Sequence, residues 1–141
     1  MQSKEDHNVI IARLFSDENI FQSLNEICRK HEVKTAIILS AIGQIKKFNM
    51  GYFDGKKYLS KSYEKMHELL SVSGMISSGI SENDYKFHLH AVVGDEDGNA
   101  VGGHLSGGVV EVTNEIVMLK SDIKVHRKKD ELTGLIGLYL E

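Results

Sequence analysis

Proline and tryptophan are absent from the 141 residues, and cysteine occurs once. The missing proline excludes polyproline linkers and suits long strands joined at some of the 13 glycines. A single cysteine excludes an internal disulfide. Cys28 falls on a helical apolar stripe, where a buried thiol acts as a small hydrophobe. No apolar run approaches the ~20 residues that span a bilayer. The first residues, MQSKEDHNVI, are polar and charged, so neither a signal peptide nor a membrane is expected, and the cytoplasm is the expected compartment. With a formal charge of −3 there is no global electrostatic argument for nucleic acid. No internal repeat or low-complexity tract appears, and the length suits one domain over 1–141 with one core.

What the chain does have is alternation. Val9 to Phe15 reads as a first strand, and Ser16-Asp17 offers a cap for a helix over Glu18–His31. The helix stripe Ile20, Phe21, Leu24, Ile27 and Cys28 should pack on a sheet. Thr35 to Phe53 reads as one or two strands bent near Gly43, Lys56 to Tyr63 as a polar edge strand, and Lys65 to Ser77 as another strand. Val109 to Leu119 follows, with an irregularity near Asn114, and Leu135 to Leu140 comes last. The expected fold is α+β: a curved, mostly antiparallel sheet of about seven or eight strands packed with one helix.

The most informative stretch is Tyr85 to Ser106, YKFHLHAVVGDEDGNAVGGHLS. Tyr85, Phe87, Leu89, Ala91 and Val93 share one strand face, and Lys86, His88 and His90 share the other. A two-residue loop at Asp97-Gly98 would put His104 on the apolar face. A three-residue loop, Glu96-Asp97-Gly98, pairs Val93 with Val101 and His90 with His104, so the apolar side chains share one face and the three histidines the other. The second register is the one the hydrophobic pattern selects.

Three neutral imidazoles converging on a point form a metal site with an open position. Zinc is the expected ion, although imidazole also suits Ni, Cu and Fe. An H-x-H pair alone reads more simply as two polar residues on a wet strand face. It is His104, placed by the turn, that makes His88, His90 and His104 a ligand set. Glu68, an ionisable group among apolar neighbours, is with Asp95 and Ser106 a candidate to orient an imidazole. Gly102 and Gly103 would let backbone approach an ion or its ligand, or simply mark a bulge. Glu82, Asp84, Asp95, Glu96 and Asp97 are expected to make the surroundings acidic, drawing cations in and repelling DNA.

His88-Leu89-His90, Asp97-Gly98 and Gly102-Gly103-His104-Leu105 together resemble the plants-and-prokaryotes-conserved (PPC) domain, with its H-x-H strand, glycine turn and V-G-G-H-L segment. Glu68 to Gly74 (ELLSVSG), Ala41-Ile42-Gly43 and Gly51-Tyr52-Phe53 are similar to further elements of that family, in family order. The resemblance implies a homotrimer of α+β subunits whose stand-alone archaeal and bacterial members hold a metal on these histidines. Plant members carry an AT-hook for DNA, and prokaryotic members are called DNA-binding by analogy. A chain without proline has no such hook, so the resemblance implies association rather than direct DNA contact.

Three functions follow as expectations. One is a trimeric metal-binding module whose open site takes a small anionic or polar ligand. Another is a metal-dependent hydrolase or lyase on a small polar substrate, with metal-bound water as nucleophile and Glu68, next to His67, as the best available base. No Ser-His-Asp order or nucleophile elbow offers a metal-free route. The third is DNA binding through Lys46, Lys47, Lys56, Lys57, Lys61 and Lys65 with interleaved aromatics, or through His126-Arg127-Lys128-Lys129. Both runs read more simply as solvated polar edges.

Overall fold

The computed structural model describes residues 1–79 and 84–140. Eleven strands and one helix follow in the order β1 (Gln2–Asp6), β2 (Val9–Phe15), α1 (Ile20–Lys30), β3 (Thr35–Lys46), β4 (Phe48–Phe53), β5 (Tyr58–Tyr63), β6 (His67–Ser78), β7 (Tyr85–Gly94), β8 (Ala100–Leu105), β9 (Val109–Ser121), β10 (Val125–Lys129) and β11 (Ile136–Leu140). Nine form an antiparallel sheet ordered β1-β2-β9-β3-β6-β7-β8-β4-β5, and β10 and β11 form a separate hairpin.

Alternation along the strands gives the sheet one buried face. In β2, Ile10, Ala12 and Leu14 are buried while Val9, Ile11 and Phe15 are exposed. The helix supplies Ile20, Leu24, Ile27 and Cys28 to the same core. Burial pushes the Cys28 thiol up to about 12, as suits a sulfur used for packing. Leu105 of β8 and Ile116 of β9 line one small interior void with Ile20 and Leu24, although four steps of the sheet separate those strands. At about 4.8 Å per step a flat sheet would hold them roughly 19 Å apart, so the sheet curls around the helix. No helix among the described residues is long and apolar enough to cross a bilayer.

The strand count is higher than the pattern suggested, because β1 and β10 carry little periodic signal. QSKED and VHRKK are mostly polar, and main-chain pairing with β2 and β11 is what makes them strands. A charged network also ties β1 down. Glu5 lies 3.1 Å from His31 Nδ1 and accepts from Lys120 Nζ, and Ser3 contacts both Lys30 and His31. The helix starts later than expected. Its cap is Asn19, whose Oδ1 accepts from the Gln22 N–H at 3.1 Å, while Asp17 takes a left-handed φ of 67° in the preceding turn. Replacing Asn19 by Ala is expected to cost about 1 kcal/mol, measured as a lower urea midpoint with unchanged m-value.

The stretch 35–53 does divide in two, but at Lys47 (φ 48°) rather than at Gly43. Gly43 (φ 143°) marks a register shift inside β3, opposite Asn114 of β9. Asn114 is fully buried and its amide donates to the carbonyls of Gln44 and Thr113, which explains the irregularity expected there. The polar strand β5 is an edge, as read.

Candidate metal centre

β7 and β8 pair His90 with His104, Ala91 with Gly103 and Val93 with Val101, the register chosen from the hydrophobic pattern. The three-residue loop closes with the Asp95 N–H donating to the Asn99 carbonyl at 3.0 Å and Gly98 at φ 82°. Leu89, Ala91, Val93 and Leu105 are buried, and the three histidines share the opposite face.

The imidazole centroids lie 5.2 to 5.5 Å apart, and one nitrogen from each ring falls within 4.8 Å of the others. Ligand nitrogens around a tetrahedral zinc sit about 3.4 Å apart, from Zn–N bonds near 2.1 Å, so small ring rotations close the set. The His104 Nδ1 atom is buried and has no hydrogen-bond partner among the described residues, as suits a nitrogen that holds an ion. Burial first, and then the neighbouring His90 and Arg127, hold the His88 imidazole below its ordinary value. Burial and the other two rings do the same for His104. Both effects favour the neutral imidazole that a metal needs. The donor set fits a divalent ion with open coordination, and bound there the ion would supply Lewis acidity.

The remaining candidates fall elsewhere. Glu68 is exposed, opposes Gly94 and accepts from the Gln44 amide, about 14 Å along β7 from His90. A bulge between Leu69 and Ser71 turns it out of the apolar row that periodicity assigned to it. Its neighbour His67 packs edge-on against Phe48 and Tyr63. Asp95 serves the turn, its Oδ1 accepting from the N–H groups of Asp97 and Asn99. Ser106 is exposed, and its N–H donates to the Asn49 carbonyl. A Cβ added to Gly103 would stand 2.8 Å from the Gly51 carbonyl oxygen, and one on Gly102 3.1 Å from that of Ala91. Backbone of adjacent strands is what approaches these glycines.

The Asn99 side chain first, and then the Asn99 and Asp97 N–H groups, hold the Asp95 carboxyl below its ordinary 3.8. A carboxyl depressed in the fold stabilises it above the unfolded value and ceases to do so as pH falls through the folded one. Asp95→Asn is therefore expected to be less stable than wild type at pH 7. The difference should shrink as pH drops below 3.8, as parallel urea titrations would show.

Among the described residues, the acidic surroundings expected from neighbouring sequence do not line the cleft beside the site. Asp95 is about 17 Å along the strand from His90, Asp84 pairs with Lys86 at 2.8 Å, Glu96 faces Lys65, and Glu82 lies outside the described residues. A cleft of about 1100 Å³ borders His88 and His104, and its described lining includes Lys34, Lys86, Lys124 and Arg127 but no carboxylate. Arg127 is the residue that sequence reasoning missed, since HRKK read as a solvated run. Strand alternation in β10 was the available signal, because it turns Val125 and Arg127 inward. The other basic stretch is divided by its packing. Lys46 pairs with Asp17 and Glu111, Phe48 is buried against Tyr63, and the Tyr58 ring lies 5.2 Å from that of His104.

Comparison with known proteins finds relatives of the same fold. A metal-containing protein from Archaeoglobus fulgidus superimposes with a TM-score of 0.83 at 29% identity, over 96% of this chain and 95% of its own. A Bacteroides thetaiotaomicron protein described as a "putative DNA binding protein" reaches 0.88 at 25% identity, over 99% and 96%. The bifunctional protein GlmU of a Synechococcus strain is 30% identical over 134 residues, 92% of this chain, but the chain spans only 20% of its length. Residues 1–122 match the model of the Plants and Prokaryotes Conserved domain. A curled antiparallel sheet around one helix, three histidines on a glycine-turn hairpin and a match over most of the chain lead to one assignment: the protein belongs to the Plants and Prokaryotes Conserved domain family.

Proposed function

We propose that residues 1–141 act as one cytoplasmic PPC-type domain, a homotrimer in which His88, His90 and His104 of each chain hold a divalent metal, zinc before others. The open coordination position takes a small anionic or polar ligand. The observation that carries this reading is the convergence of three imidazole nitrogens within 4.8 Å, with His104 Nδ1 buried and unpartnered among the described residues. The metal in the Archaeoglobus relative supports it.

Association is supported by the outer face of the sheet. Val9, Leu119, Ile37 and Met75 stand in one row across β2, β9, β3 and β6, and Ile11, Leu39 and Ile42 are 49 to 60% exposed. An apolar face this broad is normally covered in an assembly.

Elemental analysis of tag-free protein, beside a His88→Ala/His90→Ala/His104→Ala variant, tests the centre. About one metal per chain in the wild type and none in the variant is the expected result. No metal in either would overturn it. Light scattering should give three times the 15.8 kDa chain mass.

A second reading, a hydrolase or lyase in which metal-bound water attacks a small polar substrate, is favoured by the cleft beside the histidines. With Glu68 distant, Asp95 occupied in the turn and no other described carboxylate at the cleft, the base for that chemistry is unassigned. DNA association rests on the description of the Bacteroides relative. Steeply salt-dependent duplex binding would support it.

A further inference from the structure

The β10–β11 hairpin lies beyond the 1–122 span that matches the family, yet it packs beside the histidines. Val125 and Arg127 face inward from β10, while Lys128 on the other face covers the Tyr139 ring at 4.1 Å. Arg127 Nε lies 3.5 Å from Ser77 Oγ on β6. Arg127, His88, His90 and Leu138 line one depression of about 260 Å³, which adjoins the larger cleft. Lys34 and Lys86 have acidic partners in Asp122 and Asp84; no carboxylate pairs with Arg127 among the described residues.

A partly buried guanidinium loses hydration, and among the described residues the Ser77 hydroxyl lies beside it but no carboxylate returns that loss. Its five N–H donors, arranged as a fork, match the two oxygens of a carboxylate or phosphate. The three imidazoles beside it use their nitrogens on the ion and carry no negative charge to satisfy it. We propose that Arg127 is the anion-recognition residue of the three-histidine centre, binding a carboxylate or phosphate group whose other oxygen reaches the metal's open position. The rest of such a ligand lies in the cleft that borders His88, His104, Arg127 and Ile136. This inference rests on the metal centre proposed above and adds the class of ligand and the residue that selects it.

Cobalt(II)-loaded protein tests it, because the ion's visible spectrum reports a ligand entering its coordination shell without any assay of activity. Inorganic phosphate and acetate, titrated separately, distinguish the two oxyanions, and imidazole serves as an uncharged ligand. Arg127→Gln is expected to weaken the preferred anion about 10- to 100-fold while leaving cobalt stoichiometry and imidazole affinity unchanged. Arg127→Lys, with charge but no fork, should fall between. Equal anion affinity in Arg127→Gln, or equal weakening of anion and imidazole, overturns the proposal and leaves the metal centre standing. So does wild-type protein that binds imidazole but neither anion. Failure to take up cobalt overturns the centre, and the proposal with it.

Discussion

Gly74→Ala is expected to destabilise the protein by about 3 kcal/mol or more and to reduce its metal content. A Cβ at this position would stand 2.0 Å from the His88 carbonyl oxygen and 2.9 Å from the Leu89 Cα, both backbone atoms that no rotamer change can move. Gly74 also sits at φ 142°, where L side chains are strained. Backbone strain of about 1–3 kcal/mol and overpacking of similar size both oppose the substitution. Relief requires β7 to shift away from β6, and β7 carries His88 and His90. Urea denaturation and metal stoichiometry should therefore fall together. Gly98→Ala makes the comparison: it has φ 82° but nothing within 4 Å of an added Cβ, so only about 1 kcal/mol is expected. A Gly74→Ala protein as stable as wild type, with full metal, would contradict the strand packing described above.

His104→Ala is expected to lower metal affinity roughly 10²- to 10³-fold. Structural zinc sites are worth about 10–16 kcal/mol over four ligands, which shared evenly leaves about 3 kcal/mol for each. The apo protein should respond differently. His104 Nδ1 is buried without a partner among the described residues, so removing the ring relieves an unsatisfied polar atom, and apo stability should hold or rise. The metal-dependent rise in melting temperature, which follows from binding to the native state, should shrink. His7→Ala is a suitable control, since His7 lies in the turn between β1 and β2, beside Asp6 and remote from the centre in the sheet order. Should His104→Ala bind the ion as tightly as wild type, the ligand set would have to be redrawn.

Of the site, the parts legible in the sequence were those held within one hairpin. His88 and His90 share a strand face by period-two alternation, and the glycine turn brings His104 opposite His90. Only one register buries Leu89, Ala91, Val93 and Leu105 together, so the hydrophobic effect chooses it before any other strand is present. The expected roles of Glu68 and Asp95 fared differently. Their positions depend on a bulge near Leu70 and on the hydrogen bonds of a turn, both decided by local backbone geometry that residue types only weakly encode. For Asp95 and Glu96, nearness in sequence had stood in for nearness in space.

The α+β class, the core-facing stripe of α1, the edge position of β5 and the three-histidine hairpin were legible from residue order, because each follows from a short-range period or a single turn. Long-range packing set the rest. Main-chain pairing made strands of β1 and β10, whose polar residues show no apolar period. The curl of the sheet set β8 and β9 around one helix. Folding back of the last hairpin put Arg127 beside His88, 39 residues earlier in the chain. Contacts across such separations depend on where whole elements pack, and a linear pattern carries only the faces they present, not the partners those faces meet.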